Sequence, residues 1–293
     1  MREFDLANAL LSDPAALRQR AREDGCLFFR GLVDPGSIRT VRREILELCA
    51  EAGWLDDASP VEAGVARAGV AHVEPSAEFM VVYNRLQRLE SFHALAHDEA
   101  LLAMFGALFD GPVLPHARNI ARIIFPRNLK YTTPEHQDFV HIQGTEDTWT
   151  AWIPLGDCPR ELGSLAVMPG SHREGVLPVH AAYGAGGVGV RTDHLPYEWR
   201  GTDFATGDVV VFHSLTVHKA LPNETTDRIR LSVDYRYQAE AQPVVQDSFR
   251  PHHGQIDWEE VYAGWRSKRL QYYWRDRPIR WVEWSPEHRR TEG

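Results

Sequence analysis

Only three cysteines occur in the 293 residues, Cys26, Cys49 and Cys158, and no two of them form a CxxC pair. That spacing supports neither a disulfide framework nor a zinc knuckle, and it fits a chain kept in a reducing cytoplasm. Basic residues are in deficit as well, with a formal net charge of -9. Nucleic acid and anionic membranes are bound by displacing counterions with Lys and Arg, so neither is an expected partner. No apolar run approaches the length of a membrane span, and the start, MREFDLANALL, lacks a basic region followed by a long apolar one. The chain reads as a soluble, unprocessed monomer or homodimer.

What is present is ordinary for a globular protein with a sizeable core: 43% hydrophobic and 25% charged residues, with no compositional break to mark a boundary. A single domain over 1–293 is expected, in three parts. The first, about 1–110, is helical. Asp13 and Pro14 cap one helix, Pro35 opens a second that runs through Ala50, and Glu90 to Leu108 carries a third apolar stripe. Between the last two, residues 55–76 lack a period and read as a loop that either covers a pocket or simply connects.

The second part, about 111–240, changes to short runs rich in Val, Ile, Phe, Trp and Thr. They are Ile120 to Phe125, Phe139 to Ile142, Thr148 to Leu155, Ser164 to Met168, Asp208 to His213 and Ile229 to Tyr237, the rhythm of a jelly roll or barrel. The third part, about 241–293, is aromatic and basic. Its tryptophans and tyrosines either pack on the domain's own surface, cover the barrel mouth or meet a second copy. Arg266, Lys268, Arg269, Arg275, Arg277 and Arg280 form a solvated face or meet an anionic substrate.

The chemistry centres on His136-Gln137-Asp138. Side chains two apart on a strand share a face, so His136 and Asp138 project together while Gln137 points away. One more imidazole would complete two nitrogens and a carboxylate on one face of an iron ion, leaving the other face open. His218 is the candidate. His213 ends a strand before a turn, His141 falls on the opposite face of a continuing strand, His172 reads as a turn or rim residue, and His252-His253 as an adventitious surface pair.

Downstream, Arg228 to Arg236 alternates polar and apolar side chains without a break. Polar groups aimed into a barrel need a polar ligand there, because an unpaired buried guanidinium is costly. A dicarboxylate would supply the partner, gripped by an arginine with Ser232 donating a further hydrogen bond.

These residues resemble the phytanoyl-CoA dioxygenase (PhyH-like) group of iron(II)/2-oxoglutarate oxygenases. The likeness rests on HQD, the strand from Trp149 to Gly156, the run from Gly163 to His172, Gly207-Asp208 before an apolar strand, and His218 followed by Asn223 and then RxRxS. It implies a mainly β fold, a double-stranded β-helix core with N-terminal helices packed on it. It also implies His136, Asp138 and His218 as the catalytic iron ligands, Arg230 and Ser232 on the distal carboxylate of 2-oxoglutarate, and Trp152 lining that pocket. Arg228 competes with Arg230; Arg230 is preferred because it begins the RxS pair. Tyr83 and Asn84 lie on a stretch that lines the active site in relatives, with packing as the alternative.

With Fe(II), 2-oxoglutarate and O2 as cofactor and co-substrates, the resemblance implies hydroxylation of an unactivated C–H bond of a small molecule, with release of succinate and CO2. Asp138 argues against a halogenase, in which a small residue would open a halide site. Desaturation, epimerisation or cyclisation would depend on how the substrate is held. The alternatives are a cupin-like metalloenzyme without 2-oxoglutarate, for which the Arg230 and Ser232 pair would have no use, and a noncatalytic metabolite-binding β-sandwich.

Overall fold

The computed structural model describes residues 1–289. The helices form where the caps place them. Asp13 accepts the Ala16 N–H at the start of α1 (Pro14–Asp24), and Asp34 accepts the Ser37 N–H at the start of α2 (Pro35–Glu51). Each has proline at its first position, where no N–H is missed. An unmarked helix, α3 (Ala77–Leu86), follows Ser76, whose hydroxyl accepts from Phe79 N–H. The expected single helix over 90–108 is two, α4 (Glu90–Leu95) and α5 (Glu99–Phe109). Asp98 breaks them by taking the N–H groups of Ala100 and Leu101, so its side chain starts a new helix rather than extending the old one.

The strands are β1 (Cys26–Phe29), β2 (Val113–Pro115), β3 (Ile120–Ile124), β4 (Trp149–Pro154), β5 (Leu165–Val167), β6 (Val179–Ala181), β7 (Val188–Val190), β8 (Val209–His213), β9 (His218–Ala220) and β10 (Arg230–Ala239), with a short parallel pair, β11 (Val244–Val245) and β12 (Trp281–Val282), in the tail. Six make one sheet in the order β1-β8-β4-β10-β2, with β3 also on β10. Two short antiparallel pairs, β5 with β9 and β6 with β7, stand apart from it. Helices hold more of the described chain than strands do, so strand content alone does not dominate the fold.

One alternation organises both layers. On β10, Leu231, Val233, Tyr235 and Tyr237 enter the large core with α2, α4 and α5, joined by Ala151 and Ile153 of β4 and Val209 and Val211 of β8. Tyr235 and Tyr237 donate their hydroxyls to the carbonyls of Phe92 and Ala96, at the ends of α4's last turn. Such rings each contribute roughly 2–3 kcal/mol by burial. The other parity, Trp152, Val210 and Phe212, packs instead against Leu165 and Val167 of β5. The polar side chains of β10 share that second face, between the sheet and the β5-β9 pair.

One predicted strand is a helix. Phe139 to Ile142 forms a single turn, α6, because Asp138 already has helical backbone angles and its carbonyl accepts from both His141 and Ile142.

Candidate active site

His136 and His218 are neighbours across an isolated antiparallel bridge, each N–H donating to the other's carbonyl at 3.1 Å. Their rings lie 4.1 Å apart between centroids. His136 Nδ1 is 2.9 Å from Pro134 O, and His218 Nδ1 is 3.0 Å from Thr216 O. A carbonyl can only accept, so both Nδ1 atoms donate, and in a neutral ring that leaves the Nε2 lone pair for a ligand. Those Nε2 atoms approach the same oxygen, Asp138 Oδ1, at 3.7 and 3.8 Å. The three ligand atoms could hold a metal ion.

Asp138 is fixed from its far side. Thr150 Oγ1 donates to Oδ2 at 2.5 Å, and Arg236 donates through Nη2 to Oδ1 at 3.3 Å and through Nε to Oδ2 at 3.4 Å. Burial alone would raise the Asp138 carboxyl, but the Arg236 guanidinium outweighs it and holds the group well below the ordinary carboxylate range. Burial pushes the His218 imidazole down to about 3, so it stays neutral.

Arg230, Ser232, Asp234 and Arg236 line the β10 face beside these groups, as period two requires. Arg230 is 3% exposed, and its Nη1 donates to the Ser232 hydroxyl. Its Nε has no partner, and among the described residues no carboxylate pairs with it. Burial accordingly lowers its pKa from the ordinary value. Trp152 and Arg230 line the same narrow cleft as His136, Asp138 and His218. Arg228 does not; it is exposed at the strand's entrance, where Asn223 closes the turn by donating to the carbonyls of Ile124 and Arg228.

The cleft opens, past His136, Asp138 and Arg236, into a cavity of about 480 Å³ that Ile120, Ile142 and Trp284 also line. Glu74, at the end of the 55–76 loop, and Trp284 and Arg289 of the tail reach this cavity. The remaining tail aromatics pack on Leu114 and Phe249, so the tail both covers its own surface and borders the mouth. Its basic run from Arg266 to Arg280 lines none of this cavity, and Arg277 pairs with Glu240.

Gln137 points away, as expected: its amide bonds to Gly175, Leu215 and Leu177 backbone. His213 borders a separate cavity beside Asp147 and His172. His141 is not on an opposite strand face. The turn of α6 swings it to 6.2 Å from the His136 ring, on the cavity wall but outside the three-ligand group. Of the expected surface pair only His253 is exposed; His252 is half-buried and bonds to Tyr83 Oη, while His253 bonds to Glu74 at the cavity wall. Tyr83 is fully buried behind His252, and Asn84 bonds to Gln255; neither lines the cavity.

Arg236 and Thr150 lie outside the recognised motif. Their signal was the unbroken alternation of β10 and the parity of Thr150 with Trp152, and the register places Arg236 directly opposite Thr150.

Comparison with known proteins places the chain in a family. The family model for phytanoyl-CoA dioxygenase (PhyH) matches residues 21–232. The 1-deoxypentalenic acid 11-beta-hydroxylase of Streptomyces exfoliatus is 30% identical over 240 residues, 78% of this chain and 82% of the relative. Its counterpart from Streptomyces arenae is 27% identical over 243 residues, with the same coverage. Among solved structures, the non-heme alpha ketoglutarate dependent carbocyclase SnoK from nogalamycin biosynthesis aligns with a TM-score of 0.53 at 19% identity, covering 78% of this chain and 85% of that one. EvdO2 from Micromonospora carbonacea var. aurantiaca, complexed with 2-oxoglutarate, aligns at 0.50 and 20% identity, covering 79% and 93%. At these identities the solved structures speak for the fold, of the jelly-roll type. The sequence matches carry more: the chain belongs to the phytanoyl-CoA dioxygenase (PhyH) family of iron(II)- and 2-oxoglutarate-dependent oxygenases.

Proposed function

We propose that this enzyme hydroxylates an unactivated C–H bond of a small molecule of secondary metabolism, with 2-oxoglutarate oxidised to succinate and CO2. The observation that carries the reading is one arrangement: two imidazoles with their Nε2 lone pairs aimed at Asp138, beside a buried guanidinium that lacks an anion. The two Streptomyces relatives, both named as 11-beta-hydroxylases of 1-deoxypentalenic acid, support hydroxylation over the other outcomes.

In this reading His136, Asp138 and His218 hold the iron, and the donor set fits it, since neutral imidazoles and one carboxylate suit Fe(II). When bound with 2-oxoglutarate and oxygen, the iron supplies the oxidation of the C–H bond. Arg230 and Ser232 bind and orient the distal carboxylate, and Trp152 walls the cleft. Thr150 and Arg236 hold Asp138 so that Oδ1 faces the imidazoles, the kind of support that sets ligand orientation. The cavity beyond receives the substrate.

A double-stranded β-helix is the finer description we give the core, with the six-stranded sheet as one layer and the β5-β9 and β6-β7 pairs as the other. The whole chain acts as one catalytic domain, a monomer or homodimer in the cytoplasm. Support comes from a core that is continuous from α1 to β10 and from three cysteines that are all free. Among the described residues no helix is long and apolar enough to cross a membrane.

Anaerobic titration of the Fe(II)-loaded protein with 2-oxoglutarate tests the reading. A weak visible charge-transfer band should appear, and should be absent from Arg230→Ala. Iron binding without a band would return the cupin-like alternative.

A further inference from the structure

Glu74, His252 and His253 have no part in the chemistry above. One ligand atom from each lies within 4.8 Å of the others, the second such group among the described residues. Glu74 and the adjacent pair His252-His253 come from two segments far apart in sequence, and they share the cavity wall with His136 and Asp138.

Each is held as a ligand would be. Arg122 Nη1 donates to Glu74 Oε2 at 2.9 Å, which leaves Oε1 to face the imidazoles. The same guanidinium donates to Asp234 at 3.3 Å, so two carboxylates share one cation and the cluster keeps a net negative charge. His252 Nδ1 lies 2.7 Å from Tyr83 Oη, a buried hydroxyl that also accepts the Ala121 N–H at 3.3 Å, and this leaves Nε2 of His252 for a ligand. His253 has φ of 64°, in the left-handed region. Consecutive side chains on an extended backbone would diverge, whereas here the two rings stand 4.0 Å apart between centroids. His253 Nε2 meets Glu74 Oε1 at 2.7 Å.

We propose that Glu74, His252 and His253 form a second divalent-metal site, of zinc-class preference, opening on the substrate cavity. Two imidazoles and one carboxylate are a common zinc donor set, and three protein ligands leave a position for an oxygen donor from water or from the bound substrate. Tyr83 and Arg122 are positioning residues, each orienting one ligand from behind. The site stands independently of the iron assignment.

The test is stoichiometry. Demetallated protein is titrated with Zn(II) by calorimetry, and retained metal is counted after gel filtration. Wild type should hold two equivalents. His136→Ala/Asp138→Ala should hold one, and so should His252→Asn/His253→Asn and Glu74→Gln. Tyr83→Phe should keep both but weaken the second by about 10- to 100-fold. Circular dichroism verifies folding. If the double histidine variant does not fold, His253→Asn alone, altered at the more accessible ring, decides. No zinc in His136→Ala/Asp138→Ala, or zinc retained undiminished in His253→Asn, overturns the proposal.

Discussion

Replacing Arg230 by methionine separates a residue built for a ligand from one built for the fold. The guanidinium is 3% exposed, its Nη1 is bonded only to a neutral hydroxyl, and its Nε is bonded to nothing. An ion buried in this way gives little to the ligand-free protein, so Arg230→Met should leave its stability unchanged or raise it. The 2-oxoglutarate complex should suffer instead. Loss of a buried, charge-assisted grip on a carboxylate costs about 2 to 4 kcal/mol, or roughly 30- to 1,000-fold in affinity.

Thermal unfolding with Mn(II) in place of iron reads both effects. At a 2-oxoglutarate concentration a hundred times Kd, wild type gains about 2.7 kcal/mol, and a hundredfold weaker variant gains about 0.4 kcal/mol at the same concentration. For a chain of this size that is a Tm rise of roughly 4–5 °C falling to less than about 1 °C. A full ligand-induced shift in Arg230→Met would refute the anchor. If Arg228→Met lost the shift instead, the anchor would move to Arg228. A loss of more than about 3 kcal/mol from the ligand-free variant would refute the claim that the guanidinium lacks a partner, because that is the cost of breaking a buried pair.

Other expectations follow from the same geometry. Thr150→Val removes the 2.5 Å hydrogen bond to Asp138 Oδ2 and should weaken metal binding by about 10- to 100-fold without unfolding the protein, as metal titration would measure. His218→Ala should lose stoichiometric iron while His213→Ala keeps it, since only His218 approaches Asp138; elemental analysis after anaerobic reconstitution distinguishes them. Burial pushes the imidazoles of His93 and His116 from 6.5 down to about 4. The unfolded chain therefore binds more protons than the folded one between those values. Stability should be complete above pH 6.5 and fall on acidification toward pH 4, by about 2 kcal/mol per histidine at pH 5. A flat urea-unfolding profile between pH 7 and 5 would contradict this.

Much of the site was legible because it is written at short range. His136, Gln137 and Asp138 declare two faces by parity alone, and the alternation from Arg230 to Arg236 marks a polar face within one strand. The caps at Asp13 and Asp34 act within one turn, which is why α1 and α2 fell where expected. Where neighbours compete, local reading failed. Phe139 to Ile142 has strand composition but turns helical at Asp138, and this changed where His141 points. The apolar stripe resumes after Leu95, yet α4 stops there and Asp98 caps a new helix.

The sequence by itself determined the chemistry, meaning which residue types stand two apart and which strand carries the buried cations, because side-chain parity is a property of the backbone. Tertiary structure alone decided the partners. The bridge that sets His218 against His136 spans a separation of 82 residues, the register that puts Thr150 behind Asp138 joins two strands across the sheet, and the tail folds back to bring His252 and His253 to Glu74. Contacts between distant segments depend on how whole layers pack, and no local period encodes that.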